Sequence, residues 1–408
     1  MRQTRMAVSL LPMFVVCVGP IHAQEGLWST NELRKAPQVE WLDKEGKVKR
    51  LLYESEPYKG NRTRVFAYYA EPEKIEGKLP AMVLVHGGGG AAFSEWAQLW
   101  AKRGYVAIAM DLAGHGEGRK RLPDGGPDQD DASRFAKHEI KDMWSYHAVA
   151  AVIRGNSLLR SLPHVDPERI GLTGISWGGY LTCIVAGVDD RFKVAVPVYG
   201  CGFIHENSVW IPTFSKMPND WLKVWIESFE PSKYLGNAKM PMLFVNGTND
   251  FAYPLDSYQK SYRLVKDRNL CVTVNMPHGH PQGWAPKEIG LFVDQHLRSG
   301  KPLFRFAEVQ DRIQEKDGSI TIPIVQTHEI KSVSVHWTTD TKMAWQKRKW
   351  NSRLADRMVG NATDFFTATL PKDRPLAYFL TATDERGAVV STEHKVLESG
   401  SAGKHDIR

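Results

Sequence analysis

The feature that most constrains this chain is the step Gly174-Ile-Ser176-Trp-Gly178, set between an apolar β-branched run (Ile170, Leu172, Ile175) and an Ala/Ile/Val-rich segment from Leu181 to Val188. The first run reads as a strand and the second as a helix, which puts the serine at the apex of a very tight strand-to-helix turn. A residue there is held in a strained backbone conformation, and its neighbours two away on either side must be glycine to avoid collision. Such a turn lifts the hydroxyl to the carboxyl end of a parallel sheet and aims the free N–H groups of the next helix at the same point. Three fixed positions in five are also compatible with a plain turn of small residues, so the order of the other segments decides.

Ala81–Val85 and Tyr105–Met110 are continuous apolar runs, the pattern of strands covered on both faces. The first ends in His86-Gly-Gly-Gly-Gly90 and the second in Asp111-Leu-Ala-Gly114-His115-Gly116. Helices are predicted over 92–103 and over a long stretch, 132–162, ahead of the serine strand. Short β-rich runs follow at Lys193–Tyr199, Pro241–Asn246 and Cys271–Met276, with helices at Leu255–Val265 and Pro286–Leu297. Arg64–Ala70 alternates enough for an antiparallel edge strand, whereas 24–62 has no clear period and is expected to pack across the main domain as an extension. Strands alternating with helices predict an α/β fold with a mostly parallel sheet, helices on both faces, and a binding crevice beyond the strands' carboxyl ends.

A chain of 408 residues is more than one core usually serves, so two domains are expected. Residues 24–300 hold the alternating pattern. Within them 202–235 is long for a connection and carries Phe203, Trp210, Phe214, Trp221 and Trp225, which suit either a cap over the crevice or a satellite core. From about Phe304 the runs Ser319–Val325, Ser332–Trp337, Phe365–Leu370, Ala377–Thr383 and Ala388–Thr392 alternate with no helical period, which predicts an antiparallel β-sandwich over 301–398 and a loose tail at 399–408. Residues 1–23, with Arg2 and Arg5 ahead of an apolar run and Ala23 before Gln24, read as a secretory signal peptide and predict a secreted or periplasmic protein. The run is shorter than a bilayer requires, so no membrane span is expected after processing. Removing Arg2 and Arg5 lowers the formal charge from +7 to +5. That is a modest basic excess, and nothing resembles a nucleic-acid module. Cys183, Cys201 and Cys271 remain after processing and allow at most one disulfide; no feature specifies an oligomeric state.

A serine needs a base, and the base works best when a carboxylate fixes its tautomer. Asp250, in Phe244-Val-Asn-Gly-Thr-Asn-Asp250, stands on a polar turn just past a buried run; Asn249 and Asp256 are weaker candidates. The next run leads into Pro277-His278-Gly279-His280, which supplies two histidines. His278 is favoured because it falls immediately after the strand, while His280 is hemmed by Pro281. A His-x-His pair also suggests a metal, but no third ligand of sensible spacing is near, so neither metal nor other cofactor is expected. Charge developing on a carbonyl oxygen calls for two donors, the backbone N–H of Trp177 and one from the His86–Gly90 loop, Gly88. As a phosphate cradle that loop lacks the Lys-Ser/Thr pair a nucleotide site requires.

The order Ser176, Asp250, His278 or His280, after an earlier His-Gly-Gly-Gly, resembles the α/β-hydrolase superfamily over about residues 60–300. Within it Asp111-x-x-Gly-His115-Gly and Gly247-Thr-Asn-Asp250 resemble the secreted bacterial esterases related to acetyl xylan esterases and dienelactone hydrolases. The resemblance implies a serine esterase that cleaves carboxylic esters through an acyl-enzyme, on a small ester or an acylated polysaccharide. Ser176 stands where dienelactone hydrolases typically carry cysteine, which points to ordinary ester hydrolysis. Trp177, Trp210 and Trp284 could offer stacking surfaces to sugar rings. Peptidases of the prolyl oligopeptidase type share the turn and the residue order, but 24–64 is too short for their propeller. A non-catalytic binding protein on the same scaffold is the third reading.

Overall fold

The computed structural model describes residues 26–306, 313–316, 319–323, 330–358 and 365–398. The leader read at 1–23 and the tail at 399–408 lie outside the described residues.

Nine strands form one sheet: β1 (Val39–Trp41), β2 (Val48–Tyr58), β3 (Asn61–Ala70), β4 (Leu79–Val85), β5 (Val106–Met110), β6 (Val165–Ile175), β7 (Val194–Val198), β8 (Met242–Gly247) and β9 (Arg268–Thr273), in the order β1-β2-β3-β5-β4-β6-β7-β8-β9. From β5 to β9 every pair is parallel. β5, β7 and β8 are buried at every position, as the continuous apolar runs require when helices cover both faces. The helices are α1 (Thr30–Leu33), α2 (Ser94–Lys102), α3 (Asp131–Phe135), α4 (Trp144–Ser161), α5 (Trp177–Val188), α6 (Ile211–Phe214), α7 (Asn219–Phe229), α8 (Leu255–Arg263), α9 (His280–Trp284) and α10 (Lys287–Leu297). This is the α/β architecture expected.

Three local expectations are corrected. β3 is not an edge: it pairs antiparallel with β5 on one side and with β2 on the other, and β1 closes that end. The charges at Lys49, Arg50, Glu54 and Glu56 interrupt the apolar pattern of β2, yet Leu51, Leu52 and Tyr53 are buried. The single helix expected over 132–162 is instead α3, a short turn at Ile140–Asp142, and α4. Between Phe135 and Met143 only Ile140 is a large apolar residue, too little to hold a helix face against a core. The 202–235 insertion, with α6 and α7, joins the main core rather than forming a satellite one: Phe214, Trp221, Trp225 and Phe229 are buried in it, and Trp225 packs on Phe135 at 5.8 Å and Phe214 at 5.0 Å between ring centroids. Both indole N–H groups are satisfied, Trp221 donating to Phe135 O and Trp225 to Arg134 O, each at 2.8 Å.

The C-terminal strands are β10 (Gln314–Lys316), β11 (Ser319–Pro323), β12 (Ile330–Thr338), β13 (Asn351–Leu354), β14 (Asp356–Met358), β15 (Phe365–Thr369), β16 (Leu376–Asp384), β17 (Val389–Ser391) and β18 (Lys395–Leu397). They form two antiparallel sheets, one ordered β10-β11-β15-β14 and one β13-β12-β16-β17 with β18 on β16. The second is fastened to the large sheet: Val272 N–H donates to Ser391 Oγ at 3.0 Å, Val389 N–H to Glu288 Oε1 at 2.7 Å, and Gln259 Nε2 to His394 O at 2.8 Å. Cys183, Cys201 and Cys271 are buried free thiols.

Candidate active site

Ser176 joins β6 to α5 with φ 58° and ψ −118°, left-handed backbone that costs a non-glycine residue about 1–3 kcal/mol. Its N–H is tied to Val198 O at 2.9 Å. A side chain at Gly178 would overlap Val85 O, and one at Gly174 would overlap Gly178 O, so both glycines are dictated by backbone packed against backbone.

Asp250 follows β8 and is buried. Its Oδ1 accepts from Ala252 N at 2.9 Å and Tyr253 N at 2.8 Å, which pins the turn, and its Oδ2 lies 2.6 Å from His278 Nδ1. A carboxylate only accepts, so the proton sits on Nδ1 and leaves Nε2 as the basic nitrogen. The His278 ring is stacked on Tyr199 (centroids 4.3 Å, interplanar angle 22°), and Tyr199 OH donates to Pro277 O at 2.7 Å. Phe251 flanks the other side at 4.8 Å and is 56% exposed.

His280 goes elsewhere. It opens α9, and its Nε2 accepts from Gly87 N–H at 2.9 Å, so its proton is on Nδ1. Burial, with His86, His278 and Arg119 nearby, pushes its pKa down to about 4. The structure therefore joins His278, not His280, to Asp250. The two weaker acid candidates are also engaged elsewhere. Asn249 Nδ2 donates to Gln346 O at 3.2 Å and Arg348 O at 2.8 Å, and Asp256 accepts from Asn207 Nδ2 at 2.8 Å.

The His86–Gly90 loop leaves β4 and presses on the serine. A Cβ at Gly87 would sit 2.6 Å from Ile175 O and 2.8 Å from Ser176 Cβ; one at Gly88 would sit 2.9 Å from Trp177 Cδ1. His86 holds the loop, its Nδ1 donating to Gly87 O at 2.7 Å and its Nε2 accepting from Leu112 N at 2.9 Å, and complete burial lowers its pKa and keeps it neutral. Gly88 N–H makes no backbone hydrogen bond among the described residues, and Trp177 N–H, first in α5, has no intrahelical partner. His115 N–H is bound by Asp111 Oδ1 at 2.8 Å, and its ring lies 3.6 Å from Asp128.

The tryptophans are less available than expected. Trp177 is 2% exposed, tilted against Trp210 at 4.5 Å, so it has no free face. Trp210 also packs on Tyr253 at 5.2 Å, and Trp284 stacks on Trp96 at 5.4 Å; both are only partly buried. Sequence reasoning missed Tyr199, Phe251 and Arg134. Tyr199 and Phe251 sit at the carboxyl ends of β7 and β8, a position that marks them. Arg134 carries no such signal, because α3 reaches the site by packing on Trp177 and beside Gly88. Among the described residues no group of three or more His, Cys, Asp or Glu side chains is arranged to hold a metal ion, and no helix is long and apolar enough to cross a membrane.

Comparison with known proteins gives the family of the chain. The acetyl xylan esterase (AXE1) family matches residues 29–233, half of the chain, a span that includes the His86–Gly90 loop and Ser176 but ends before Asp250 and His278. The uncharacterized peptidase YuxL of Bacillus subtilis (strain 168) is 28% identical over 269 residues, covering 57% of this chain and 37% of YuxL. The acetyl esterase Axe7A of Xylanibacter ruminicola is 23% identical over 252 residues, covering 56% of this chain and 57% of Axe7A. The chain thus spans less than two thirds of the length of either relative. The acetyl xylan esterase from Paenibacillus sp. R4 superposes with a TM-score of 0.52 at 19% identity, over 66% of this chain and 92% of that one, a likeness of fold. With the parallel sheet, the serine turn and this match together, the chain belongs to the acetyl xylan esterase (AXE1) family and has the α/β-hydrolase fold.

Proposed function

We propose that this protein is a serine hydrolase that cleaves carboxylic esters through an acyl-enzyme. Ser176 is the nucleophile, His278 the base, Asp250 its carboxylate partner, and the N–H groups of Trp177 and Gly88 the donors to the oxyanion. The observation that carries the reading is the His278–Asp250 contact of 2.6 Å at the tips of β9 and β8, together with the strained serine turn at the tip of β6.

In the proposed sequence His278 Nε2 takes the Ser176 Oγ proton as Oγ attacks the carbonyl carbon. The oxygen gains charge against the two N–H groups, preorganised donors each worth about a hundredfold in rate. Collapse breaks the ester C–O bond, and the proton on His278 leaves with the alkoxide as alcohol. Water, deprotonated by the same nitrogen, then attacks the acyl carbon, the acyl–Oγ bond breaks, and the proton on His278 returns to Ser176 Oγ as the acid leaves. Asp250 stays ionised and steadies the imidazolium.

For the substrate we favour a small acyl group on a polysaccharide. Support comes from the family and from the relative named an acetyl esterase. Trp210, Trp284 and Phe251 are the aromatic surfaces still partly or wholly exposed near the crevice. The reading of 1–23 as a leader fits a secreted or periplasmic enzyme, with 24–300 as the catalytic domain and 301–398 as a β-sandwich. A peptidase is the second reading, favoured by the likeness to YuxL. Purified protein is assayed on 4-nitrophenyl acetate, acetylated xylan and fluorogenic dipeptides, beside Ser176→Ala. Ester turnover that the variant lacks is expected. Cleavage of the dipeptides alone selects the second reading, and no turnover of any substrate ends both.

A further inference from the structure

Arg134 lies against the oxyanion loop without a role in the chemistry described. Its guanidinium carbon is 4.8 Å from the centre of the Trp177 ring, the residue after the nucleophile, and 5.7 Å from Phe135. Its Nη1 is 3.8 Å from where a Cβ on Gly88 would stand. The side chain is only 13% exposed, and its Nε is buried without a hydrogen-bond partner. One edge of the fork is engaged, Nη2 donating to Asp131 Oδ1 at 2.6 Å, but Asp131 is itself 72% exposed.

A second guanidinium converges on the same loop. Arg119 Nη2 donates to Gly89 O at 2.6 Å, and Arg119 makes no ion pair among the described residues. The other nearby carboxylates are committed: Asp130 caps α3 through Ser133 N, Glu117 pairs with Arg50 at 2.5 Å, and Asp128 faces His115. The rim beside Gly88 and Gly89 thus carries two guanidiniums, one paired only with the exposed Asp131 and one with no ion pair among the described residues. Holding a nearly buried guanidinium short of its hydrogen bonds is costly, and a planar fork is the group best matched to a carboxylate.

We infer that the substrate of this site carries a carboxylate beside its ester, bound by Arg134 with Arg119 at the rim. The inference rests on the ester-hydrolase reading and deepens it: the preferred substrate is an acidic ester, such as an acylated uronic acid, rather than a neutral one. If Arg134 only braced Trp177, its loss would weaken neutral and acidic esters alike.

Matched pairs test this and separate the two possible sources of the carboxylate. Mono-4-nitrophenyl glutarate against 4-nitrophenyl butyrate places the charge on the acyl side; O-acetyl glucuronate against O-acetyl glucose places it on the alcohol side. The protein is expected to favour the acidic member of one pair by about tenfold to a hundredfold in kcat/KM, the range charge-assisted hydrogen bonds support. Arg134→Gln erases that preference, Arg134→Lys keeps part of it, and added salt weakens it. No preference in either pair, or one that survives Arg134→Gln, overturns the inference. Absence of Ser176-dependent turnover would count against the esterase reading instead. In that case titration of the Ser176→Ala protein with glucuronate and monomethyl glutarate, against glucose, still reads the cationic site: one of the anions should bind about tenfold tighter than glucose, and less so after Arg134→Gln. Equal binding of all three overturns it.

Discussion

The His86–Gly90 loop meets Ser176 through main chain alone, while Asp250 and His278 arrive at the tips of β8 and β9 as side chains, the first on a turn tied to the C-terminal region. The loop side is made within the α/β part: glycines pressed on Ile175, Ser176 and Trp177, with His86 and His280 holding Gly87. The acid side is not. Asn249 gives two hydrogen bonds to Gln346 O and Arg348 O, and the Arg348 guanidinium lies 3.6 Å from the Trp345 ring centre and donates to Met343 O and Thr341 O, each at 3.0 Å. Trp345 closes a small core with Leu255, Val272, Ala377 and Phe379. β8 and β9, though members of the large sheet, thus make further contacts with the C-terminal region, at Asn249 and at Val272. The difference is that the acid turn is hydrogen-bonded to the C-terminal region, whereas the oxyanion loop makes no hydrogen bond to it among the described residues.

The largest effects bear on whether the two sides form one catalyst. Ser176→Ala is expected to lower kcat on 4-nitrophenyl acetate by about 10⁴ or more, and Asp250→Asn by about 10⁴, with the fold unchanged by circular dichroism. A variant at Asp250 with near wild-type kcat would remove the acid side from the mechanism.

Next comes the choice between the histidines, which belong to opposite sides. His278→Gln should cost kcat about 10³ or more, and His280→Gln about tenfold, through a loosened Gly87. Equal losses would mean that both imidazoles serve the reaction, and a reversed order would exchange their roles.

A smaller effect probes the anchor itself. Asn249→Ala removes the two hydrogen bonds to Gln346 and Arg348 and the one Asn249 Oδ1 accepts from Thr248 Oγ1, and should lower stability by about 1–2 kcal/mol and kcat by about tenfold with KM little changed, read by chemical denaturation and steady-state kinetics. If kcat is untouched, the C-terminal sheets do not position the acid turn.

The mildest is a dependence on acidity shared by the two regions. Burial lowers His280, His147 and His336 to about 4 and His394 to about 3. The unfolded chain protonates its histidines near pH 6.5, so between about 6.5 and 4 it binds more protons than the folded one. Stability is therefore full above pH 6.5 and falls as the pH drops towards 4, which a series of thermal melts follows. His394→Gln should flatten that slope, and an unchanged slope would take His394 out of this account.

Residue runs alone marked the buried strands of the parallel sheet, the serine turn and the glycine loop, because each depends on neighbours a few positions apart and on burial that leaves a continuous apolar signature; the order of the strands within the sheet came from the tertiary structure. Asp250 was legible for the same reason, as the acid beyond a buried run. What only the tertiary structure decided is which imidazole meets it. His278 and His280 differ by two positions, and their fates are set by Asp250 and by Gly87, the latter 193 residues away. β2 escaped because its charges mask a half-buried strand, and Trp221 and Trp225 turned inward because Phe135, remote in sequence, offered them a surface. Local sterics are written in adjacent residues, but a contact between distant segments depends on how the whole chain packs, and no short stretch records it.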